Sequence, residues 1–584
     1  MHRILKSLII TALWGSLLLH AQCDFPKPTS APLLTYVFEP IFSNDKLALR
    51  ITLEFWGNRG GREKLEIPSE YNGLRDLQTA ITELQPLSVG TKLIDTKNNG
   101  QKIVEFRPRS HVRISYLLTK NWNGPLDART RFLPDLNPDY FHIIGPTSLI
   151  YPAIDDLLTV DAHFDWQKLP PWWSLATSFG TENRCQSFHG LLRDAVNSLF
   201  VGGDYRIATR QMVGSNILAF AIRGKWDFTD AEWIDAVEKV TSYERSFWHD
   251  NKFPYFLVTL TPLTQEHGSS GGTGLTNSFM EHLSRLDSLT PVIFGQLAHE
   301  TFHTWNPGKI GYIPGSDYPV SWFFEGFTVY YQNLMLLRAG LEQVPDYVAA
   351  INTEMRDYEL NEGRDVPLTE FIRRHSADHS VLNQLDYRRG AVLGLWLDAT
   401  IRNEGRNKRS LDDFMFNLMK QNEDYEQHHR GRPLALTNDR IIRLASKYFN
   451  SESVAQFRRY VENGGTIRVP QQALGPCVES YTEQIPKFDL GFDRNSTDTK
   501  AVSGVKTESE AFKAGLRNGQ SLSGWSIYWD DTAKPIRLKI KSQDGVRTIE
   551  YYPVGPKTPV QQFTLLKDKF ASDKSGCEDS VQRH

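Results

Sequence analysis

Apolar and polar residues alternate one for one between Lys46 and Phe55, where Leu47, Leu49, Ile51, Leu53 and Phe55 are separated by Ala48, Arg50, Thr52 and Glu54. That period of two predicts a strand with one buried face. Lys102 to Phe106 and Val112 to Leu118 read the same way, with turns at Asn98-Asn99-Gly100 and Asn123-Gly124-Pro125. An all-β region from Thr35 to about Pro152 follows. Beyond Pro170-Pro171, where a domain boundary is expected, Ile217 to Ile222 and Tyr255 to Leu260 are further strands. Between them Thr229-Asp230-Ala231-Glu232 is a capping box that opens a helix running to about Phe247. From Thr290 the period becomes helical. Thr290 is placed to N-cap, Pro291 suits the first helical position, and Val292, Ile293, Leu297 and Phe302 recur on a helical spacing. Helices are also expected from Glu325 to about Arg338, Val392 to Arg402, after Ser410, Asp439 to Phe449 and Val454 to Asn463, the last stopped by Gly464-Gly465.

The helix from Thr290 carries His299-Glu300-Thr301-Phe302-His303, an H-E-x-x-H pattern. Residues four apart share a helix face, so two imidazoles can aim at one tetrahedral Zn²⁺ with Glu300 beside it as a proton acceptor. A third ligand is then required. No glutamate lies between His303 and Glu325, and Glu325 heads the run Glu325-Gly326-Phe327-Thr328 amid aromatic residues, so it is the candidate. The plain alternative is a Glu that complements a helix dipole.

H-E-x-x-H followed by E-G-F-T resembles the gluzincin metallopeptidases, and the run His299 to Asn306 is similar to their glycyl aminopeptidase family. The resemblance implies a multidomain α+β protein: an N-terminal β-sheet domain, a thermolysin-like and mostly helical catalytic domain, and one Zn²⁺ on His299, His303 and Glu325. The Tyr-x-x-Gly-Ala pattern at Tyr387 resembles the gluzincin segment whose tyrosine donates a hydrogen bond to the oxyanion; otherwise Tyr387 is a packing residue. Ser269 to Gly274 stands where the family places a Gly-Gly-Leu-Glu-His motif, which makes Gly271, Gly272, Thr273 and Gly274 a candidate substrate edge or else a surface loop. Gly274 falls where the family's glutamate would hold a substrate amine, and Glu266 is the carboxylate upstream that would have to replace it.

From Gly475 the character changes. Leu490-Gly491-Phe492 and the run Ala511 to Gln520 resemble a PDZ domain, which implies a peptide C-terminus as a ligand. The expected division is an export signal at 1–21, a β-domain at 22–168, the metallopeptidase domain at 169–470, a PDZ-like module at 475–560 and a tail at 561–584. Composition agrees with several packed cores: 584 residues, 40% hydrophobic and 12% aromatic. A net charge of −3 with no basic run gives no footprint for nucleic acid. Arg3 and Lys6 before the apolar stretch Leu8 to Leu19 read as a signal for export to the periplasm or beyond, and no other stretch is apolar enough for a stable membrane span. Four separated cysteines without a C-x-x-C pair argue against a cysteine-ligated metal; Cys477 with Cys577 is a candidate disulfide, and unpaired buried cysteines are the alternative. His428 and His429 are expected in a charged loop, solvated.

The expectation is an exported zinc peptidase acting on peptides through a metal-bound water, an aminopeptidase for small N-terminal residues. An endopeptidase is the alternative, because the glutamate is missing at Gly274. A peptide-binding scaffold with a structural zinc is the alternative outside catalysis. Oligomeric state is not legible.

Overall fold

The structure, a computed structural model, describes residues 23–377, 384–529, 531–542 and 545–583. The export segment expected at 1–21 lies outside them. The described residues form two compact units: one holds those up to Asp227 together with Lys252–Asp287, the other Phe228–Asn251 together with those from Ser288 onward.

The first unit contains a six-stranded sheet of Leu33–Ser43 (β1), Lys46–Trp56 (β2), Ile81–Pro86 (β3), His111–Thr119 (β4), Thr159–Trp166 (β5) and Cys185–Leu191 (β6), in the order β6-β5-β1-β2-β4-β3. The alternation seen in the sequence sets its faces. Leu47, Leu49, Ile51, Leu53 and Phe55 are all buried, as are Leu34, Tyr36 and Phe38, the cross-strand partners of Phe55, Leu53 and Ile51. β1 turns into β2 through Asn44 and Asp45, both at positive φ, the two-residue turn whose twist matches that of the strands. Phe38 stacks at 4.1 Å on Trp166, its register partner on the adjacent strand β5.

The sheet corrects the expected boundary at 168. β6 pairs with β5 from Asp165↔Cys185 to Thr159↔Leu191, so strand pairing continues past Pro170-Pro171. Those prolines start a turn inside the unit, where the Trp173 N–H donates to the Pro170 carbonyl at 3.1 Å. Cys23 is disulfide-bonded to Cys185, a pairing the sequence did not suggest.

A second sheet in this unit comprises Arg206–Gln211 (β7), Ile217–Ile222 (β8), Tyr255–Pro262 (β9), Ser270–Leu275 (β10) and Ser278–Leu283 (β11), ordered β7-β8-β9-β11-β10. The glycine stretch is therefore β10, an edge strand, and the loop reading is set aside. Its register runs from Ser270↔Leu283 to Leu275↔Ser278.

The second unit is mostly helical. Asp230–Phe247 (α1) opens with the expected capping box, in which Thr229 and Glu232 satisfy each other's end of the helix. Pro291–Phe302 (α2) buries Ile293, Leu297, Ala298 and Phe302. Val292, counted among the apolar positions, is 75% exposed because it projects from the first turn away from the core. Gly326–Arg338 (α3), Leu385–Glu404 (α4) and Leu411–His428 (α5) follow, with Val344–Leu360 between α3 and α4. α4 begins at Leu385 and not near Val392, so Tyr387 lies in its first turn. α5 includes His428, whose ring bonds the Asp424 carbonyl.

In the C-terminal region Val478–Phe488 (β12) pairs with Val554–Leu565 (β16), and Ser521–Ser526 (β13), Ile536–Ser542 (β14) and Gly545–Tyr551 (β15) form an antiparallel sheet. Leu490, Phe492, Ala511, Leu516 and Ile549 share its core. Residues 561–584 are not a free tail over their described part. β16 runs to Leu565, Asn352 bonds both the N–H and the carbonyl of Phe563, and Cys577 is disulfide-bonded to Cys477. No helix among the described residues is long and apolar enough to cross a membrane.

Candidate metal centre

Two helices and the turn between them build the centre. α2 presents His299 and, at its C-terminal end, His303; Glu325 stands at the head of α3. His299 Nε2 lies 3.2 Å from Glu325 Oε2, His303 Nε2 lies 3.4 Å from the same oxygen, and the two Nε2 atoms are 3.1 Å apart. With metal–donor bonds of about 2.0–2.1 Å, donors of a tetrahedral zinc stand about 3.3 Å from one another. The three separations therefore match three corners of one tetrahedron. Two nitrogens and one carboxylate oxygen are also a donor set that zinc takes. Among the described residues this is the one group of three or more His, Cys, Asp or Glu side chains able to share an ion.

Each imidazole is held from behind. The Nδ1–H of His299 donates to Gln332 Oε1 at 2.9 Å, and that of His303 to the Asn306 carbonyl at 2.8 Å. Asn306 is fully buried, and its side-chain N–H groups reach the Phe323 and Phe324 carbonyls and Thr328 Oγ1. Asn306 thereby links the end of α2 to the turn that carries Glu325. Thr328 Oγ1 also donates to the Phe324 carbonyl at 2.6 Å, so it braces that turn as well as packing in the helix.

Tyr387 is brought in by a contact between glycines. A Cβ added to Gly326 would sit 2.2 Å from the Gly390 Cα, and one added to Gly390 would sit 1.9 Å from the Trp322 carbonyl oxygen. Bare backbone on both sides lets α3 and α4 touch, and the first turn of α4 then faces Glu325. The Tyr387 ring stacks on His299 with centroids 6.0 Å apart, and its phenol bonds Glu325. Asp386, buried beside it, reaches Ser321.

Electrostatics follow from this crowding. Burial, then the carboxylates of Glu325, Asp386 and Glu300, hold the Tyr387 phenol protonated far above its ordinary range. Burial draws His303 down, but the adjacent Glu325 carboxylate outweighs it and carries the group up to about 9. Burial opposes ionisation of Glu325, yet His303 and His299 bring it well below the usual carboxylate range. The Asp386 carboxyl rises to about 6, chiefly through burial and with Glu325 contributing. Glu300 lies close enough to act on both His303 and Tyr387.

The sequence pointed to His299, Glu300, His303, Glu325 and Tyr387, and the structure brings them together. It missed Gln332, although a position two helical turns after Glu325 shares its face. Gly271, Gly272, Thr273 and Gly274 lie on β10 in the other unit. There the Arg131 guanidinium packs on Gly271 and donates to the Gly272 carbonyl at 3.3 Å. Glu266, the suggested substitute carboxylate, is exposed and paired with Arg285.

No curated protein matches the sequence. Among solved structures, an aminopeptidase N family protein from Idiomarina loihiensis superposes with a TM-score of 0.68 at 16% identity, covering 94% of this chain and 99% of that one. A variant of an M1 zinc metallopeptidase from Deinococcus radiodurans bound to a Tyr-Ser-Ala substrate aligns with a TM-score of 0.47 at 15% identity, covering 75% of this chain and 95% of that one. At these identities the first likeness speaks to fold alone. The family model for M61 glycyl aminopeptidase matches residues 293–409, a stretch that holds His299, Glu300, His303, Glu325 and Tyr387 alike. A tetrahedral donor set for zinc thus lies inside the stretch that is similar to M61 glycyl aminopeptidases, and the chain is a zinc metallopeptidase.

Proposed function

We propose that the protein is an exported aminopeptidase that removes small N-terminal residues from peptides. The observation that carries the hydrolytic part of this reading is the spacing of His299, His303 and Glu325 at the corners of a tetrahedron, with Tyr387 laid over His299; the preference for small N-terminal residues rests on the resemblance alone. Bound zinc supplies a Lewis acid that polarises the scissile carbonyl and makes water acidic enough to attack near neutral pH. The chain's own groups do the rest. Glu300 accepts the proton of the attacking water and returns it to the departing amine. Tyr387, held protonated, donates its O–H to the carbonyl oxygen as negative charge develops there, and as a neutral donor it does so without adding charge. His299 and His303 keep Nε2 free for the metal, because each Nδ1–H is committed to an oxygen behind it.

An endopeptidase is the second reading: at Gly274 the sequence lacks the glutamate that the resembled family uses to hold a substrate amine. Free and N-terminally acetylated peptides of one sequence decide between the two. An aminopeptidase cleaves only the free form, and equal cleavage of both refutes that reading. Glu300→Gln is the companion test. Zinc content should stay near one per chain while turnover is lost, and retained turnover would remove Glu300 as the base.

Export is supported by two disulfides, which persist in oxidising compartments, and is tested by cell fractionation. Binding of a peptide C-terminus at the PDZ-like region 475–560 is a separate proposal. The Gly491 N–H, which such a carboxylate would need, is already bonded to Asp489 Oδ1 at 3.0 Å, and this weighs against it.

A further inference from the structure

Neither imidazole of the metal centre is backed by a carboxylate. His303 donates to a main-chain carbonyl and His299 to the neutral side-chain amide of Gln332. Gln332 sits on α3, seven residues beyond Glu325, so one helix provides both a metal donor and the group that orients another donor. The amide is itself confined. A Cβ on Gly295, one turn before His299 on α2, would lie 3.4 Å from Gln332 Nε2, so the carboxamide fills the space that a glycine leaves between the two helices. The orientation of the amide also follows from chemistry. His299 Nε2 faces the other two donor atoms and must offer a lone pair, so its proton resides on Nδ1, and Nδ1–H needs an oxygen opposite it.

We propose that Gln332 is a positioning residue for the zinc centre. It fixes His299 in the tautomer and ring orientation that bind metal, and it does so through a neutral acceptor. The three donors and the groups that back them then carry one negative charge, that of Glu325, and leave more of the cation's charge for polarising substrate than a carboxylate-backed histidine would. The partner behind a ligating histidine typically alters metal affinity by about 10–100-fold when removed. An anionic partner in the same place raises the basicity of the imidazole and tightens the metal.

The test is a zinc titration of the full chain, stripped of metal and competed against a chromogenic chelator. Three forms are compared: the parent, Gln332→Met and Gln332→Glu. Gln332→Met, which keeps the volume and removes the acceptor, should weaken zinc about 10–100-fold with the thermal unfolding of the metal-free protein unchanged. Gln332→Glu should restore the acceptor and bind zinc more tightly than the parent by several-fold. A Met variant within about twofold of the parent, or a Glu variant no tighter than the parent, overturns the role. If Gln332→Met does not fold, the near-isosteric Glu variant decides alone by the same criterion. A parent that takes up no zinc would instead defeat the zinc assignment on which this inference rests.

Discussion

Replacement of Gly390 by alanine tests the way the structure joins Tyr387 to the metal centre. The added methyl would lie 1.9 Å from the Trp322 carbonyl oxygen and 2.6 Å from the Gly326 Cα, and both obstacles are backbone. Carbon atoms pack best about 3.5–4.0 Å apart, so α3 and α4 must separate locally by roughly 1 Å or more. Overpacking of this kind costs about 1–3 kcal/mol. The same displacement moves Tyr387 relative to Glu325, and a misplacement of about 1 Å at a reacting centre can lower the rate by about 10²-fold. The expected outcome is a lower melting temperature together with a kcat reduced by about two orders of magnitude on an aminoacyl substrate at saturating zinc. Gly394→Ala is the control on the same helix. The atoms nearest its Cβ would be those of the Tyr330 side chain, at 3.2 Å, and not backbone, so its effects on stability and kcat should be much smaller. A Gly390→Ala protein with parental melting and parental kcat would refute the close glycine contact and the placement of Tyr387 that depends on it.

Tyr387→Phe removes one hydroxyl and leaves the ring over His299; kcat should fall about 10²-fold or more with little change in KM, as for loss of one oxyanion donor, and an unchanged kcat would make the ring a packing element. His142 and His282 lie edge to face 4.8 Å apart in the first unit, each almost fully buried, with His142 Nε2 and His282 Nδ1 lacking a hydrogen-bond partner. Burial lowers His142 to about 4 and His282 further, so both are neutral in the fold. Their contribution is complete above the unfolded value of about 6.5; that of His142 is lost as pH falls from there towards 4, about 3 kcal/mol by pH 4, and that of His282 continues to fall below it. Denaturant unfolding of the parent and of His142→Gln across that range should show a shallower acid slope in the variant. Cys577→Ser opens a loop of 100 residues and should cost about 2–4 kcal/mol, with the segment after Leu565 becoming sensitive to protease; unchanged stability would refute a structural role for that bond.

Local order was legible wherever one side-chain period dominated. The alternation at Lys46 to Phe55 specified a strand and its buried face, the capping box at Thr229 specified the start of α1, and the four-residue spacing of His299 and His303 placed both on one side of α2. These outcomes depend on backbone geometry within a turn or two, which the residues carry themselves. The sequence also named Glu325 and Tyr387, through the residues around them. It could not say how they meet the histidines, because that depends on Gly326 and Gly390 allowing two helices to touch, and each glycine alone is silent about its partner. Tertiary pairing likewise decided that the first sheet runs on to Leu191, that the glycine stretch is an edge strand, and that Cys23 meets Cys185. Gln332 reads as one polar residue on an apolar helix until α2 is packed against it. Then its amide oxygen stands 2.9 Å from an imidazole nitrogen, and a surface-type residue becomes part of the metal centre. Local pattern determined the elements and the reactive side chains, whereas contacts between residues distant in the chain decided which of those side chains share a site.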